Sequence, residues 1–342
     1  MKKISKILVL LLVGIMILTA CGSTDNQVIG NDNIENIDTN EVKEDIEDTV
    51  YKIGISQLTE HPALDDARRG FEDGLKELGV NVEIDYKNAQ GDIANTVSIA
   101  QKFVSDGVDL IFAIATPAAQ SAKQVSTEIP VLFSAVTDPV KAGIVEDWEN
   151  VGGNVTGTSD MAPTASQLKM FKEIDPSISK IGILYNTSEA NSEIQIDEVK
   201  SLAPAEGLEV ETVGVNNVNE LPQAIDSIMK KVDALYIISD NLIASSVELV
   251  AKSAIDNGMI TVSAEETQVR GGILITNGLS YYELGKQTAT MAKEILVDKK
   301  DVSSIPVGRA EKTITTVNQK TLETLGLDEE LPLFKDAVKV GE

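Results

Sequence analysis

The 342-residue chain contains one cysteine and one histidine, and aromatic residues make up only 4% of it. A single cysteine excludes any disulfide within the chain, so its folding must depend on buried apolar surface. One histidine and one cysteine cannot form a His/Cys zinc site. Basic residues are also scarce, because 29 lysines and arginines stand against 54 acidic residues, a net charge of −25. Such a surface repels nucleic acid and anionic lipid headgroups, so we predict that the protein does not bind DNA or RNA.

Motifs of the common hydrolases and nucleotide-binding enzymes are missing as well. A Ser-His-Asp set would have to use His61, and no Gly-x-Ser-x-Gly elbow occurs in the chain. No Gly-x-x-x-x-Gly-Lys phosphate-binding loop occurs either. We therefore predict that the protein is not an enzyme and that it uses no cofactor and no metal.

The N-terminus combines three lysines within the first six residues with an apolar run over residues 7–18. This combination is typical of a secretory signal peptide, since a membrane-spanning helix needs about 20 apolar residues. The stretch Leu18-Thr19-Ala20-Cys21 resembles a bacterial lipobox, in which the cysteine thiol is acylated and becomes the new N-terminus. The alternative is an ordinary signal peptide with a chance cysteine. We expect residues 1–20 to be removed and Cys21 to hold the protein on the extracellular face of the cytoplasmic membrane, at the cell surface.

Residues 22–50 carry nine acidic residues and a single base, Lys43. Removal of residues 1–20 takes away three lysines and no acid, which brings the net charge from −25 to −28. Isolated apolar residues in so charged a segment cannot bury enough surface to offset the entropy cost of ordering. We predict that residues 21–50 form a disordered acidic stalk.

From Tyr51 onwards, short apolar runs of β type alternate with longer stretches of helical period, which is typical of βαβ units. The predicted strands fall into two sets, 52–56, 82–86, 108–115, 131–135 and 154–158, then 180–185, 209–213, 234–239, 259–264 and 272–276. Ile53-Gly54-Ile55 recurs as Ile181-Gly182-Ile183, and Val108-Asp109 recurs as Val232-Asp233. We therefore predict an α/β fold of two doubly wound, Rossmann-like lobes with parallel sheets.

A duplicated chain with one more helical stretch (281–297) and a late strand (312–317) resembles the type I periplasmic binding proteins. The resemblance implies a hinge of three crossings, near residues 156–160, 277–280 and 304–309, and a ligand cleft between the lobes. The implied lobes are residues 51–157 with 279–304, and residues 158–278 with 305–330. Residues 331–342 are predicted to form a tail.

Ligands of open parallel sheets bind beyond the carboxyl ends of the strands. In the first set these ends carry Ser56, Gln57 and the run Thr116-Pro117-Ala118. A hydroxyl residue followed by proline begins a helix, whose free amides and dipole favour a carboxylate. The alternative is that Thr116 only caps its helix.

The matching position in the second set carries Asp240 and Asn241. An aspartate that faces a carboxylate-binding helix start suits an ammonium group, and a carboxylate with an ammonium group describes a free amino acid. The alternative is that Asp240 only caps the helix near residues 245–257.

Six further residues complete the predicted ligand set: Asp138, Ser159, Asp160, Tyr185, Ser188 and Glu189. Three of them have structural alternatives. Asp138 precedes a proline and could only turn the chain. Asp160 could cap the helix near residue 163, and Glu189 could simply occupy the first turn of its helix.

Several phrases in order resemble one family: Val136-Thr137-Asp138-Pro139-Val140, Gly157-Thr158-Ser159-Asp160, Tyr185-Asn186, Ser239-Asp240-Asn241 and Ser280-Tyr281-Tyr282-Glu283-Leu284-Gly285. It is the family of ABC-transporter substrate-binding lipoproteins that includes tryptophan-importer binding proteins, and the resemblance covers residues 51–325. It implies that a monomer closes on a free aromatic amino acid (tyrosine, tryptophan or phenylalanine) and presents it to a cognate ABC permease. Few aromatic residues could contact the ligand ring: Phe133, Tyr185, Tyr281 and Tyr282. The alternative function is a surface adhesin, with or without ligand binding.

Overall fold

The computed structural model describes residues 49–310 and 312–341. The predicted signal peptide, the predicted lipidation at Cys21 and nearly all of the predicted stalk lie outside these residues. Within the described part of the chain, no helix is both long and apolar enough to cross a bilayer.

The first sheet contains six strands, all paired in parallel. Their bounds are β1 Tyr51–Gln57, β2 Val82–Asn88, β3 Leu110–Ile114, β4 Val131–Val136, β5 Val155–Ser159 and β11 Gly308–Arg309. The spatial order is β11-β5-β4-β3-β1-β2. The first five strands thus follow the 2-1-3-4-5 order of doubly wound folds.

The second sheet repeats this order with two strands added at one edge. Its strands are β6 Lys180–Asn186, β7 Glu209–Val215, β8 Ala234–Ile237, β9 Ile260–Ser263, β10 Ile275–Gly278, β12 Ile314–Asn318 and β13 Val338–Val340. The order is β13-β12-β10-β9-β8-β6-β7, and only the β10–β12 pairing is antiparallel. The predicted pair of doubly wound lobes is confirmed.

Helices cover both faces of each sheet. They are α1 Pro62–Glu77, α2 Ile93–Asp106, α3 Thr116–Val125, α4 Thr164–Ile174, α5 Ala190–Leu202, α6 Leu221–Ile228, α7 Asn241–Ala244, α8 Val247–Asp256, α9 Glu266–Arg270, α10 Tyr281–Leu296, α11 Gln319–Thr324 and α12 Pro332–Lys335. Each sheet therefore separates two apolar cores, one on each face. This layering explains the nearly continuous apolar runs of the central strands.

The Val-Asp dipeptide that recurs in the two halves makes the same hydrogen bond in each. The side chain of Asp109 accepts a hydrogen bond from the backbone N–H of Lys52 at 2.7 Å, and Asp233 accepts one from the N–H of Lys180 at 2.9 Å. Each aspartate thus fixes the start of the third strand of its half against the first. The repeat that is visible in the sequence therefore reflects a repeated strand connection.

The sheets end at residues that differ from the predicted lobe boundaries. Strand β5 continues to Ser159, and β11 pairs with it through Gly308 and Arg309, so residues 308–309 belong to the first sheet rather than the second. Strand β13 pairs with β12 in the region predicted as a tail. Both short strands cover an otherwise open sheet edge, a contact between distant segments that local sequence patterns do not reveal.

Candidate functional site

The carboxyl ends of the two sheets face each other around a narrow pocket, which we name the cleft cavity. It is lined by His61, Ala63, Leu64, Ala135, Thr137, Asp160, Asn191, Ser239, Asp240, Asn241, Ala244, Glu265, Gln268 and Tyr281. Its free volume is about 10 Å³, which is about the room of one water-sized sphere. The two lobes are therefore closed on each other at this point.

Side-chain hydrogen bonds cross directly from one lobe to the other. The Nε2 atom of His61, just before α1, lies 3.2 Å from Oδ1 of Asn241 at the start of α7. The Nε2 group of Gln195 on α5 donates to the hydroxyl of Thr137 at 3.4 Å. These contacts join the lobes beside the cavity.

Four side-chain atoms of the cleft cavity have no hydrogen-bond partner among the described residues, and all four are acceptors. They are Nδ1 of His61, Oδ1 of Asp160, Oδ1 of Asn191 and Oε1 of Gln268. Unpaired buried acceptors are costly, so native proteins rarely keep them without a function. A cavity with only acceptors free suits a group with several hydrogen-bond donors.

The two amides are oriented by their other contacts. The Nδ2 group of Asn191 donates to Oε2 of Glu189 at 3.2 Å and to the carbonyl of Ser239 at 3.0 Å. The Nε2 group of Gln268 donates to the carbonyl of Ile238 at 3.0 Å. Because all these partners only accept, the nitrogen of each amide must face them, and its oxygen is the atom that stays free.

Asp160 lies in the first connection between the sheets, with its side chain buried. Its Oδ2 atom accepts a hydrogen bond from the hydroxyl of Tyr281 at 2.5 Å, while Oδ1 has no partner in the described part of the chain. Burial raises the pKa of Asp160, and the hydroxyls of Tyr281 and Thr137 offset part of the rise. The residue that precedes α4 is Pro163, which has no side-chain cap, so Asp160 does not cap that helix.

Asp240 is buried too, but its carboxylate already accepts hydrogen bonds from other groups of the protein. It accepts hydrogen bonds from the N–H of Ile243 at 3.0 Å, the N–H of Asn186 at 2.6 Å and the hydroxyl of Ser192 at 2.7 Å. Burial and the negative charge of Glu189 raise its pKa to about 7. The structure thus favours the capping alternative for Asp240, at α7 rather than at the later helix.

Three other predicted ligand residues also use their polar groups in hydrogen bonds within the protein. The backbone N–H groups of Val140 and Lys141 donate to the carboxylate of Asp138. Ser159 donates to the carbonyl of Thr137 and accepts from the N–H of Met161. The carboxylate of Glu189 accepts hydrogen bonds from the side chains of Asn186, Asn191 and Asn241. It also accepts one from the backbone N–H of Asn241.

Of the predicted ligand residues, only Asp160, Asp240 and Asn241 line the cleft cavity, so Tyr185 and Ser188 lie outside its lining, as do Ser56, Gln57, Thr116, Pro117, Ala118, Asp138, Ser159 and Glu189. The half-buried Tyr185 packs against the core of the second lobe, and Ser188 is exposed in a turn where its N–H donates to Asn186. The predicted ligand role of these two residues has no support in the cavity.

The predicted carboxylate site lies at the ends of β1 and β3. Ser56 and Gln57 are fully buried, and Thr116 is 1% exposed, yet the two hydroxyls and Oε1 of Gln57 have no partner among the described residues. Thr116 is the first residue of α3, followed by buried Pro117 and Ala118, and no side chain caps this helix. The capping alternative for Thr116 is therefore wrong, because its hydroxyl makes no such bond.

Two alanines at the carboxyl ends of neighbouring strands have strained backbones. Ala115 has φ of 84° and Ala135 has φ of 58°, in the region that normally favours glycine. Such strain is stored mainly where a binding or catalytic site requires a particular backbone path. Both residues border the predicted carboxylate site or the cleft cavity.

Several lining residues were not predicted as ligands. Glu265 follows the end of β9 as Asp240 follows β8, so the strand-end rule could have identified it. Asn191 and Gln268 lie within the first turns of helices, where the sequence does not show which side faces a cleft. His61 was considered only as a catalytic base, although it lies just beyond a strand end.

From the buried carboxyl group of Glu265 we predict an unusual dependence of folding stability on pH. Its carboxylate caps α9 by accepting from the N–H of Thr267 at 2.6 Å and from its hydroxyl at 2.8 Å. Burial nevertheless raises its pKa to about 7 from an ordinary 4.5. Since the folded pKa is the higher one, this contribution is fully present below pH 4.5 and is lost as the pH rises to about 7. The loss is roughly 3 kcal/mol at 1.36 kcal/mol per pKa unit.

The free energy of unfolding in urea, measured without ligand at about pH 5.5 and about pH 8, checks this expectation. Repulsion among the many acids also weakens at low pH, so Glu265→Gln is the control. The variant keeps an acceptor for Thr267 but has no proton to release. We expect its unfolding free energy to change less with pH than that of the natural protein, and equal pH dependences would contradict the assignment.

Comparison with known proteins agrees with this architecture. The model of a family described as ABC transporter substrate binding protein matches residues 52–340. A "Tyrosine-binding protein" of Clostridioides difficile is 41% identical over 330 residues, which cover 95% of this chain and 93% of that protein.

Two solved structures are similar over 85% of the chain. A domain from Streptococcus pneumonia in complex with L-Trp superposes with a TM-score of 0.82 at 34% identity and is covered completely. The ligand-free, open structure of CD0873, a substrate binding protein with adhesive properties from Clostridium difficile, gives 0.66 at 42% identity, with 99% of it covered. The tryptophan complex is thus the better structural match despite its lower identity, in line with the closed cleft. The resemblance drawn from the motifs is confirmed, and the chain belongs to the family of ABC transporter substrate-binding proteins.

Proposed function

We propose that the protein is a lipid-anchored, extracytoplasmic receptor, not an enzyme, that closes on a free aromatic amino acid and delivers it to an ABC permease. The observation that carries the proposal is the set of four free acceptors in the cleft cavity. Among the described residues that line this cavity, three are acids and none is a lysine or arginine. The local field therefore favours a cation with several N–H donors, and an amino acid supplies one in its ammonium group.

We assign the ammonium contact to Asp160. Its Oδ1 atom is free, whereas the carboxylates of Asp240 and Glu265 are taken by backbone and hydroxyl donors. The hydroxyl of Tyr281 holds the other oxygen of Asp160 and fixes the side chain. An ammonium group beside Asp160 would also stabilise a carboxylate whose ionised form is disfavoured by burial.

We assign the carboxylate contact to the start of α3. The hydroxyls of Ser56 and Thr116 are buried donors without partners, and the uncapped first turn of α3 adds free amides. Donors at this end and acceptors in the cleft cavity match the two ends of an amino acid.

An aromatic side chain is supported by the relatives, one named for tyrosine and one solved with L-Trp. Ala63 and Leu64 from α1 and Ala244 from α7 give the cleft cavity an apolar part. A free volume of about 10 Å³ is far below the roughly 300 Å³ of typical ligand pockets. An amino acid therefore fits only when the lobes lie further apart than they do here, and its contacts to both lobes then favour closure around it.

Adhesion is a second role, which the adhesive properties stated for CD0873 support. It would use the outer surface, so it is compatible with ligand binding in the cleft. The lipid anchor at Cys21 rests on the sequence pattern alone.

Isothermal titration of the protein without its signal peptide tests the proposal. We expect at least one of tyrosine, tryptophan and phenylalanine to bind with a dissociation constant of about 1 μM or below, that is, about −8 kcal/mol or stronger. Leucine and the aromatic amino acid amides, which lack the ring or the carboxylate, serve as controls. If no aromatic amino acid releases or absorbs heat and none raises the melting temperature, the ligand assignment fails.

A further inference from the structure

His61 is the only histidine of the chain, and its position in the cleft cavity is not explained by the ammonium contact. It precedes α1 and is 7% exposed, but it does not cap that helix with its side chain. Its Nε2 atom contacts Asn241 of the other lobe, while Nδ1 has no hydrogen-bond partner among the described residues. One ring nitrogen thus bonds to the protein, and the other stays free on a residue that lines the cavity.

The hydrogen bonds of Asn241 decide which nitrogen carries the hydrogen. The Nδ2 group of Asn241 donates to Oε2 of Glu189 at 2.5 Å, so its Oδ1 atom faces His61. An oxygen acceptor requires Nε2 of His61 to be the donor. Burial lowers the pKa of His61, so the ring is neutral and Nδ1 carries a lone pair. The cavity therefore receives an acceptor from His61.

The surroundings of His61 indicate which part of an amino acid would lie there. Close to it along the chain, the lining residues are apolar, Ala63 and Leu64 of α1, and Ala244 lies on the same short helix α7 as Asn241. Of the three acids in the lining, Asp160 and Glu265 belong to other segments, and Asp240, next to Asn241, already accepts hydrogen bonds from two backbone N–H groups and one hydroxyl. A ligand with its ammonium group at Asp160 would thus direct its side chain between α1 and α7.

We propose that His61 is a specificity-determining residue, whose Nδ1 atom accepts a hydrogen bond from a donor on the ligand side chain. This inference rests on the proposed function. An ammonium group has three N–H donors, whereas the cleft cavity has four free acceptors. A side-chain O–H or N–H fills the fourth, and phenylalanine leaves it unpaired. The site therefore prefers tyrosine or tryptophan to phenylalanine, by roughly 5- to 150-fold for one unpaired buried acceptor.

A pair of variants isolates the contribution of Nδ1. In His61→Asn, the side-chain oxygen bonded to Cγ can take the place of Nδ1, but the contact with Asn241 is lost. In His61→Leu, both the acceptor and the contact are lost. The two variants thus differ mainly in the acceptor, and each is titrated with tyrosine, 4-aminophenylalanine, O-methyltyrosine and phenylalanine.

We expect the natural protein and His61→Asn to prefer tyrosine and 4-aminophenylalanine, which have a donor, to phenylalanine by roughly fivefold or more. In His61→Leu, tyrosine and phenylalanine should bind within about twofold of each other, because no acceptor remains to be paired. Binding of phenylalanine by both variants shows that they are folded and that the ammonium contact is intact.

Equal affinities for tyrosine and phenylalanine in the natural protein would overturn the assignment of His61, while the receptor function would stand. An undiminished tyrosine preference in His61→Leu would overturn it as well. Tight binding of O-methyltyrosine, which has no O–H, would show that size rather than a donor sets the preference. If the natural protein binds none of the four compounds, the proposed function fails together with this inference.

Discussion

Asp160→Asn should abolish high-affinity binding of the amino acid and yet leave the ligand-free protein as stable as before, or more stable. The substitution preserves size and an acceptor but removes the charge that attracts the ammonium group. Loss of one partner of a buried charge pair costs roughly 2–5 kcal/mol, which is about 30-fold or more in affinity. Without ligand, the same charge is a burden, because burial raises the pKa of Asp160 and its Oδ1 atom accepts no hydrogen bond from the described residues. Affinity and stability should therefore change in opposite directions.

The same substitution at Asp240 is the matched control. Its carboxylate accepts hydrogen bonds from two backbone N–H groups and one hydroxyl. An asparagine replaces one of its two oxygens by a donor, which leaves at least one N–H unpaired at a cost of roughly 1–3 kcal/mol. Asp240→Asn should thus lower stability more than affinity. Titration calorimetry and urea unfolding of both variants give the comparison, and the reverse pattern would assign the ammonium contact to Asp240.

Much of the fold could be predicted from the sequence because each half repeats the same strand and helix contacts, so the same motifs recur along the chain. The glycines of β1 and β6 illustrate this, since a Cβ atom at Gly54 would lie 2.5 Å from the ring of Phe103, and one at Gly182 would lie 2.9 Å from Ile228. Both glycines allow a helix to approach the first strand of its sheet. Because both halves repeat this packing, the Ile-Gly-Ile motif occurs twice in the chain, and the sequence displays the repeat directly.

The site was harder to predict because the same residue types can serve the fold or the ligand. Asp160 and Asp240 both follow a strand, and only the partners of their oxygens distinguish them. Asp240 is occupied by Asn186 and Ser192, which lie 54 and 48 residues away along the chain. The free acceptors of Asn191 and Gln268 likewise depend on carbonyl groups of other segments. The rule that ligands bind beyond the carboxyl ends of the strands finds the right end of the sheet. It does not show which side chains there lack a partner within the protein.

Gly285→Ala should destabilise the protein far more than its single added methyl group suggests. Helix α10 crosses α1 so closely that a Cβ atom at Gly285 would lie 2.1 Å from the carbonyl oxygen of Ala67 and 2.7 Å from the backbone nitrogen of Phe71. Neither atom belongs to a flexible side chain, so the helices must separate. Overpacking usually costs about 1–3 kcal/mol and occasionally more. We expect about 3 kcal/mol or more here, measured as a shift of the urea midpoint.

Gly107→Ala is the control, because that glycine has a φ of 64° but no atom within 4 Å of an added Cβ. It should cost only the backbone strain, about 1–2 kcal/mol, and leave ligand affinity unchanged. Gly285→Ala should weaken binding too, since α10 begins with Tyr281, which holds Asp160, and α1 follows His61. Separation of α1 and α10 would move Asp160 and His61, the two residues that we propose contact the ligand. Equal midpoints for the two variants would show that the crossing tolerates a side chain, and normal affinity in Gly285→Ala would show that the site does not depend on it.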